Sequence, residues 1–183
     1  YTALYRTNAQ SRAIEDTFVR AGLPYKLVAS TRFYARREIK DTLAYLRLIH
    51  NPTDSVSLAR VINLPPRGIG RKTLGQLERT AQARGLPAWD VLNGKGAGGK
   101  ETPFSTRAKK SLDSFAGLVS EWLQLAEQSS VVGLMDAVLE QSGYRDYVLD
   151  GTQEGRERWD NILELRGVAA EYNDMTLTEF LAD

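Results

Sequence analysis

The residues with the most chemical potential stand together at Pro65-Pro66-Arg67-Gly68-Ile69-Gly70-Arg71-Lys72-Thr73. A Gly-Ile-Gly turn lets the backbone take positive φ twice, so that amide N–H groups can converge on one point. Ile69 can anchor such a turn in a core, while Arg67, Arg71 and Lys72 supply cations on both sides of it. No acid stands between Asp54 and Glu78 to neutralise them. A helix opening at Gly70 would add the positive end of its dipole, and a phosphate oxygen fits such a nest. This is the logic of helix-hairpin-helix contacts, which hold a nucleic-acid backbone without reading its sequence. An ordinary helix–helix turn with glycine at a cap fits the same residues. A second basic group, Arg36, Lys40 and Arg47, falls within about 40° around a helix that turns 100° per residue. It reads either as a ridge for phosphates or as a solvated face on which Arg37 pairs with Asp41 one turn away.

Other chemistry is largely excluded. The 183 residues contain no Cys and one His, which removes disulfides, thiolate metal sites, the usual zinc constellations and the Ser-His-Asp and Cys-His arrangements. Gly94-Lys95-Gly96-Ala97-Gly98-Gly99 satisfies G-x-G-x-x-G, and Gly94 to Lys100 satisfies most of a P-loop. Position 101, however, is Glu where magnesium coordination needs Ser or Thr, and Ala88–Leu92 does not read as the preceding strand. The stretch 94–103 therefore reads as a linker loop. Asp146, Asp150 and Glu154 read as solvated surface, His50 near a helix end as structural or a weak cap, and Trp89, Trp122 and Trp159 as core. No catalytic residue, metal ligand or bound cofactor is expected in this chain. Apolar runs stay well short of the roughly 20 residues that span a membrane, and no leader sequence is visible. A cytoplasmic setting fits these features.

Net charge is only +1, but its distribution is uneven. Residues 1–110 hold 20 Lys and Arg against 8 Asp and Glu, a net of +12, while residues 111–183 hold 4 against 15, a net of −11. Such asymmetry marks either a basic face for a polyanion beside an acidic, solvated remainder, or two halves that neutralise each other across an interface.

The elements that must position these residues are mostly helical. Tyr1–Arg6 and Tyr25–Ala29 read as short strands flanking a helix over 9–21, with Gly22 as its stop. A chain that opens inside a strand is expected to belong to a larger domain, and this β-α-β stub looks like the edge of one. From about residue 31 the pattern turns helical. Residues 35–49 place Ile39, Leu43 and Leu46 on one face, and Pro52 ends the run. Thr53 or Asp54 caps a helix that runs to about Leu64, where Pro65-Pro66 break it. Further helices are expected from Gly70 to Gly85, around Pro87–Leu92, near 105–128, 130–142 and 154–172, and from Thr176 to Ala182.

Leu4-Tyr5-Arg6-Thr7-Asn8-Ala9-Gln10-Ser11-Arg12 resembles the segment after motif IV in UvrD/PcrA-type superfamily-one DNA helicases. Gly22-Leu23-Pro24-Tyr25, Phe33-Tyr34, Arg37-Glu38-Ile39-Lys40-Asp41, Ala44-Tyr45-Leu46-Arg47 and Asn63-Leu64-Pro65-Pro66-Arg67-Gly68-Ile69-Gly70 continue the resemblance in the same order. The remainder, including Ser142-Gly143-Tyr144-Arg145 and Arg158-Trp159-Asp160-Asn161-Ile162, looks like the variable helical rest of that family's 2B subdomain. The resemblance implies a mainly α fold: residues 1–30 an edge of motor domain 2A, residues 31–183 the helical 2B subdomain. It implies a parent protein that is an ATP-dependent 3′→5′ helicase using ATP and Mg, with the ATPase residues outside this chain and this part inactive by itself. Arg6 and Asn8 would then touch single-stranded DNA, and Lys40 and Arg47 would lie near the DNA path. The Gly68-Ile69-Gly70 hairpin would meet double-stranded or junction DNA, and the orientation of 2B would regulate unwinding. Docking of repair or transcription proteins through the acidic half is the rival role. One departure stands out: the family often has Gly-Gly before the Phe, where this chain has Ala29-Ser30-Thr31-Arg32, which would stiffen the 2A–2B hinge.

Overall fold

Helix α1 (Arg37–His50) is the axis about which the other helices pack. In the computed structural model, residues 14, 17, 18, 20–24, 33–95, 103–171 and 176–182 are described, and the two expected N-terminal strands lie outside them. After α1 the order is α2 (Ser55–Val61), α3 (Arg71–Arg84), α4 (Ala88–Leu92), α5 (Thr106–Ala126), α6 (Val131–Gln141), α7 (Tyr144–Val148), α8 (Gln153–Glu171) and α9 (Leu177–Ala182). Helices α2, α5, α6, α8 and α9 all pack on α1, while α3 and α4 pair beside it and reach the bundle through α4 on α5 and α2. The described part of the chain is mainly α.

Local chemistry explains the boundaries. The Asp54 carboxylate accepts from the amides of Val56 and Ser57 and from Ser57 Oγ, starting α2. Ser105 and Ser130 do the same for α5 and α6 through Ala108 N and Gly133 N. α3 ends at Gly85, which takes the left-handed conformation at φ 61°. At Gly155 the need is for space: a Cβ there would fall 2.6 Å from the Val148 carbonyl and against the Asp150 carboxylate. Its absence lets the first turn of α8 close on the end of α7.

The expected helix over 35–49 forms, but it is not a surface helix with one apolar face. Ile39, Tyr45, Leu46, Leu48 and Ile49 are buried on its several sides, and so are Glu38, Asp41 and Thr42. Leu43, expected in the apolar face, is only partly buried. The buried acids are tolerated because other helices satisfy them. Asp41 Oδ1 accepts from Arg60 Nε of α2 at 2.7 Å, and Asp41 Oδ2 accepts from the Tyr144 hydroxyl of α7 at 2.9 Å. Glu38 Oε1 accepts from Asn161 Nδ2 of α8 at 2.7 Å, and Arg37 Nε stands 3.7 Å from Asp41 one turn away. Trp122, wholly buried on α5, donates from Nε1 to Gln141 of α6 and meets Tyr45 edge-on. Helix α7 was not foreseen in the sequence, since five residues carry too little periodicity to register.

Burial, then the Asp41 carboxylate facing it, push the Tyr144 phenol well above its ordinary value of 10.0. The folded chain therefore holds this proton more tightly than the unfolded one. The stability it contributes is complete below pH 10 and declines as pH rises beyond it. Tyr144→Phe should cost about 1–2 kcal/mol at neutral pH, because Asp41 loses a buried donor. It should also flatten the alkaline fall in stability, measured by urea unfolding at a series of pH values.

Candidate nucleic-acid interface

The turn between α2 and α3 is organised by a side chain that the sequence reading passed over. Asn63 Oδ1 accepts from the backbone amides of both Arg67, at 2.7 Å, and Ile69, at 3.1 Å. A short polar side chain beside a turn often binds local backbone in this way, which is the one signal that marks it in advance. Gathering amides 67 and 69 on one oxygen requires a reversal only at the residue between them. Gly68 accordingly has φ +78°, whereas Gly70 has φ −78° and ψ 174°, an extended conformation open to any residue. The expectation of two positive-φ glycines is thus corrected to one. Ile69 is 2% exposed and anchors the turn in the core, as its position between the glycines led us to expect.

Gly70 is the N-cap of α3, and no side chain caps it. A Cβ on Gly70 would meet nothing within 4 Å, so neither dihedral nor packing calls for glycine there. Arg71 and Lys72, in the first turn of α3, are exposed, and that turn contains no acid. Helix starts ordinarily favour acids, because the unsatisfied amides carry partial positive charge. Two cations there, uncompensated by a cap, make a strongly positive point on the surface. Thr73 is half-buried in the same turn.

Arg67 is arranged differently from its neighbours. Its Nη1 donates to the carbonyls of Leu64 at 2.6 Å, Val61 at 3.2 Å and Pro65 at 3.2 Å. Its Nη2 donates to the Tyr45 hydroxyl at 3.1 Å and to the Ser142 carbonyl at 2.9 Å. The guanidinium also lies over the Phe115 ring, 5.5 Å from its centre. Tyr45 in turn donates to the Leu64 carbonyl, and burial pushes its phenol above 10.0 although Arg67 pulls the other way. One cation thus ties the hairpin to α1, α5 and the link between α6 and α7. Sequence spacing counted it among the charges for phosphate, but the fold directs it into the protein.

The second basic group is split as well. Arg36 lies outside α1 as its extended N-cap, where its guanidinium donates to Asn161 and stands over the Phe33 ring. Lys40 and Arg47 remain exposed and line a cleft of about 620 Å³ with Tyr34, Leu43, Val56 and Arg60. Residues of α8 and α9, among them Val168 and Leu181, close its other side. Arg60, which the sequence reading did not include, is held there by its pair with Asp41. Arg6 and Asn8 lie outside the described residues. His50 faces Thr178 of α9 at 3.4 Å. Among the described residues no group of three or more His, Asp or Glu could hold a metal ion, and no helix is long and apolar enough to cross a membrane.

Comparison with known proteins fits this geometry. The chain is 37% identical over 188 residues to the ATP-dependent DNA helicase PcrA of Bacillus subtilis, covering 98% of this chain and 24% of that protein. It is 38% identical over 191 residues to the PcrA of Staphylococcus epidermidis, covering 98% of this chain and 25% of that one. The PcrA of Staphylococcus aureus is 36% identical over 190 residues with the same coverage. The chain therefore spans about a quarter of the length of these relatives. The UvrD-like helicase C-terminal domain family matches residues 1–182, and the chain belongs to that family.

Proposed function

We propose that this chain is the 2B subdomain, with an edge of motor domain 2A over residues 1–30, of an ATP-dependent 3′→5′ DNA helicase. Its task is to grip the backbone of double-stranded or junction DNA without reading sequence, and to regulate unwinding through its orientation. The parent would use ATP and Mg at residues outside this chain, and Arg6 and Asn8 would meet the single strand.

One observation carries the reading. The start of α3 combines a glycine that neither packing nor dihedral requires with two exposed cations and no acid or cap. A bound phosphate accounts for all of these at once. The backbone can approach closely over Gly70, the first-turn amides gain an acceptor, and Arg71 and Lys72 gain a counter-charge. Lys40 and Arg47 provide a second basic surface on the same subdomain. Within this reading Arg67 is a positioning residue that holds the hairpin's shape.

The test is binding of the chain to a fluorescent DNA hairpin over a range of salt concentrations. Arg71→Ala with Lys72→Ala should weaken binding and lower the salt slope by about 1–2 units, because each phosphate contact contributes about 0.9. Binding unchanged by salt and by this pair would instead favour protein docking, for which exposed Val56 and Tyr34 at the cleft offer apolar contact.

Arg67→Lys should behave differently from the pair. It should lower the unfolding free energy by about 2–4 kcal/mol, since several buried acceptors lose their donor. Where the variant is folded, its salt slope should equal that of the parent chain. A slope reduced like that of the Arg71→Ala, Lys72→Ala pair would make Arg67 a phosphate ligand after all.

A further inference from the structure

We infer that the cleft between α1, α2 and α9 is a docking groove for an acidic segment of a partner protein, one that presents an apolar side chain between two carboxylates. The inference goes beyond the DNA-binding reading and does not depend on it, since none of the residues lining the cleft belongs to the hairpin or to the start of α3.

The wall contributed by α1 has a simple order. Lys40, Leu43 and Arg47 stand at i, i+3 and i+7, so they form one stripe along the helix, with the two cations about 10 Å apart. Both cations are exposed, and among the described residues neither makes an ion pair. Leu43 between them is only partly buried. Across the cleft, α2 offers Val56 and Arg60 one turn apart. Val56 is 78% exposed, the most exposed large apolar side chain among the described residues, and Tyr34 is 49% exposed. Val168 and Leu181 complete the aliphatic surface, and no acid is among the lining residues. At about 620 Å³ the space falls within the range of roughly 300–1,000 Å³ usual for binding clefts.

Charge and polarity together select the occupant. Cations alone would suit a phosphate strand, but a sugar-phosphate strand has nothing aliphatic to bury against Leu43, Val56 and Leu181. Bases could cover apolar surface by stacking, which takes a series of open aromatic faces, and Tyr34 is the one exposed aromatic among the lining residues. A protein segment meets both demands at once. Two carboxylates about 10 Å apart face Lys40 and Arg47, while the side chain between them lies over Leu43 toward Val56. On a helix that spacing is i and i+7 with an apolar residue at i+3 or i+4, so an acidic amphipathic helix laid along α1 has the required pattern. Arg60 adds less to the attraction, because Asp41 already offsets its charge.

The probe is a displayed library of random dodecapeptides, selected on this chain after binders to a Lys40→Gln, Arg47→Gln, Val56→Ser variant have been removed. The most enriched peptide is then synthesised with a fluorophore and its binding followed by anisotropy. Enriched sequences should carry two acids flanking an aliphatic or aromatic residue. Lys40→Gln with Arg47→Gln should weaken binding about three- to tenfold, and Val56→Ser alone by at least about threefold. Arg71→Ala with Lys72→Ala should leave peptide binding unchanged, and Val56→Ser should leave the affinity for the DNA hairpin unchanged. All three cleft substitutions fall on exposed side chains, and circular dichroism melts check that the variants are folded. A selection without the acidic pattern, or a peptide indifferent to Val56→Ser, overturns the docking groove and leaves the hairpin reading untouched. A DNA hairpin that displaces the peptide and loses affinity with Val56→Ser also overturns it, because the cleft would then be a nucleic-acid surface. Cleft-dependent peptide binding, together with DNA binding indifferent to the Arg71 and Lys72 pair, upholds the groove and refutes the hairpin reading alone.

Discussion

Two carboxylates removed from water control how this bundle assembles. Asp41 and Glu38 lie on the helix against which α2, α5, α6, α8 and α9 pack, and an ionised carboxylate without partners there would cost several kcal/mol. Their partners come from three separate elements: Arg60 on α2, Tyr144 on α7 and Asn161 on α8. Apolar packing alone would tolerate small slips of these helices along α1. Hydrogen bonds with one correct geometry do not, so the pairing sets the position of each helix against the axis. Because α2 leads directly into the hairpin, the same pairing decides where the hairpin stands.

The hairpin extends this logic to its own backbone. Asn63 gathers two amides and Arg67 gathers five oxygens, so the turn is held by side chains that are themselves anchored in the bundle. What remains unsatisfied lies on the outer side, where Gly70, Arg71 and Lys72 begin α3. Rigidity behind the turn and unmet electrostatic demand in front of it are complementary. A preorganised site avoids the entropy of ordering a loop at the moment of binding.

This separation also resolves the charge asymmetry. Several cations of the basic stretch are consumed internally: Arg36 on Asn161, Arg60 on Asp41 and Arg67 on carbonyl groups. Pairs in the acidic stretch are mostly made with near neighbours, Arg158 with Asp150 and Glu154, and Arg145 with Glu140. Among the described residues, the cations left exposed in the basic stretch include Arg71 and Lys72 at the start of α3, and Lys40 and Arg47 at the cleft. Net charge over a hundred residues could not have located them, because it counts a buried arginine and an exposed one alike.

Much was legible before the fold was known. Pro52 and Pro65-Pro66 as breaks, Asp54 as a cap and Gly85 as a stop act within a few residues, so the helices from α1 to α6 and α8 follow from local chemistry. The Gly-Ile-Gly turn and its anchoring isoleucine were equally local, as was the family resemblance of Arg37-Glu38-Ile39-Lys40-Asp41. The direction in which each cation points was not local. Arg67 and Lys72 are five positions apart with the same charge, yet one faces Phe115 and Ser142 and the other faces solvent. Acceptors 75 residues away decide that difference, just as Asn161 decides Arg36 and Tyr144 completes Asp41. The sequence by itself determined which segments are helical and where a phosphate-binding turn could form. Only the tertiary structure decided which charges face it, because desolvation and hydrogen bonding act between residues that chain order keeps apart.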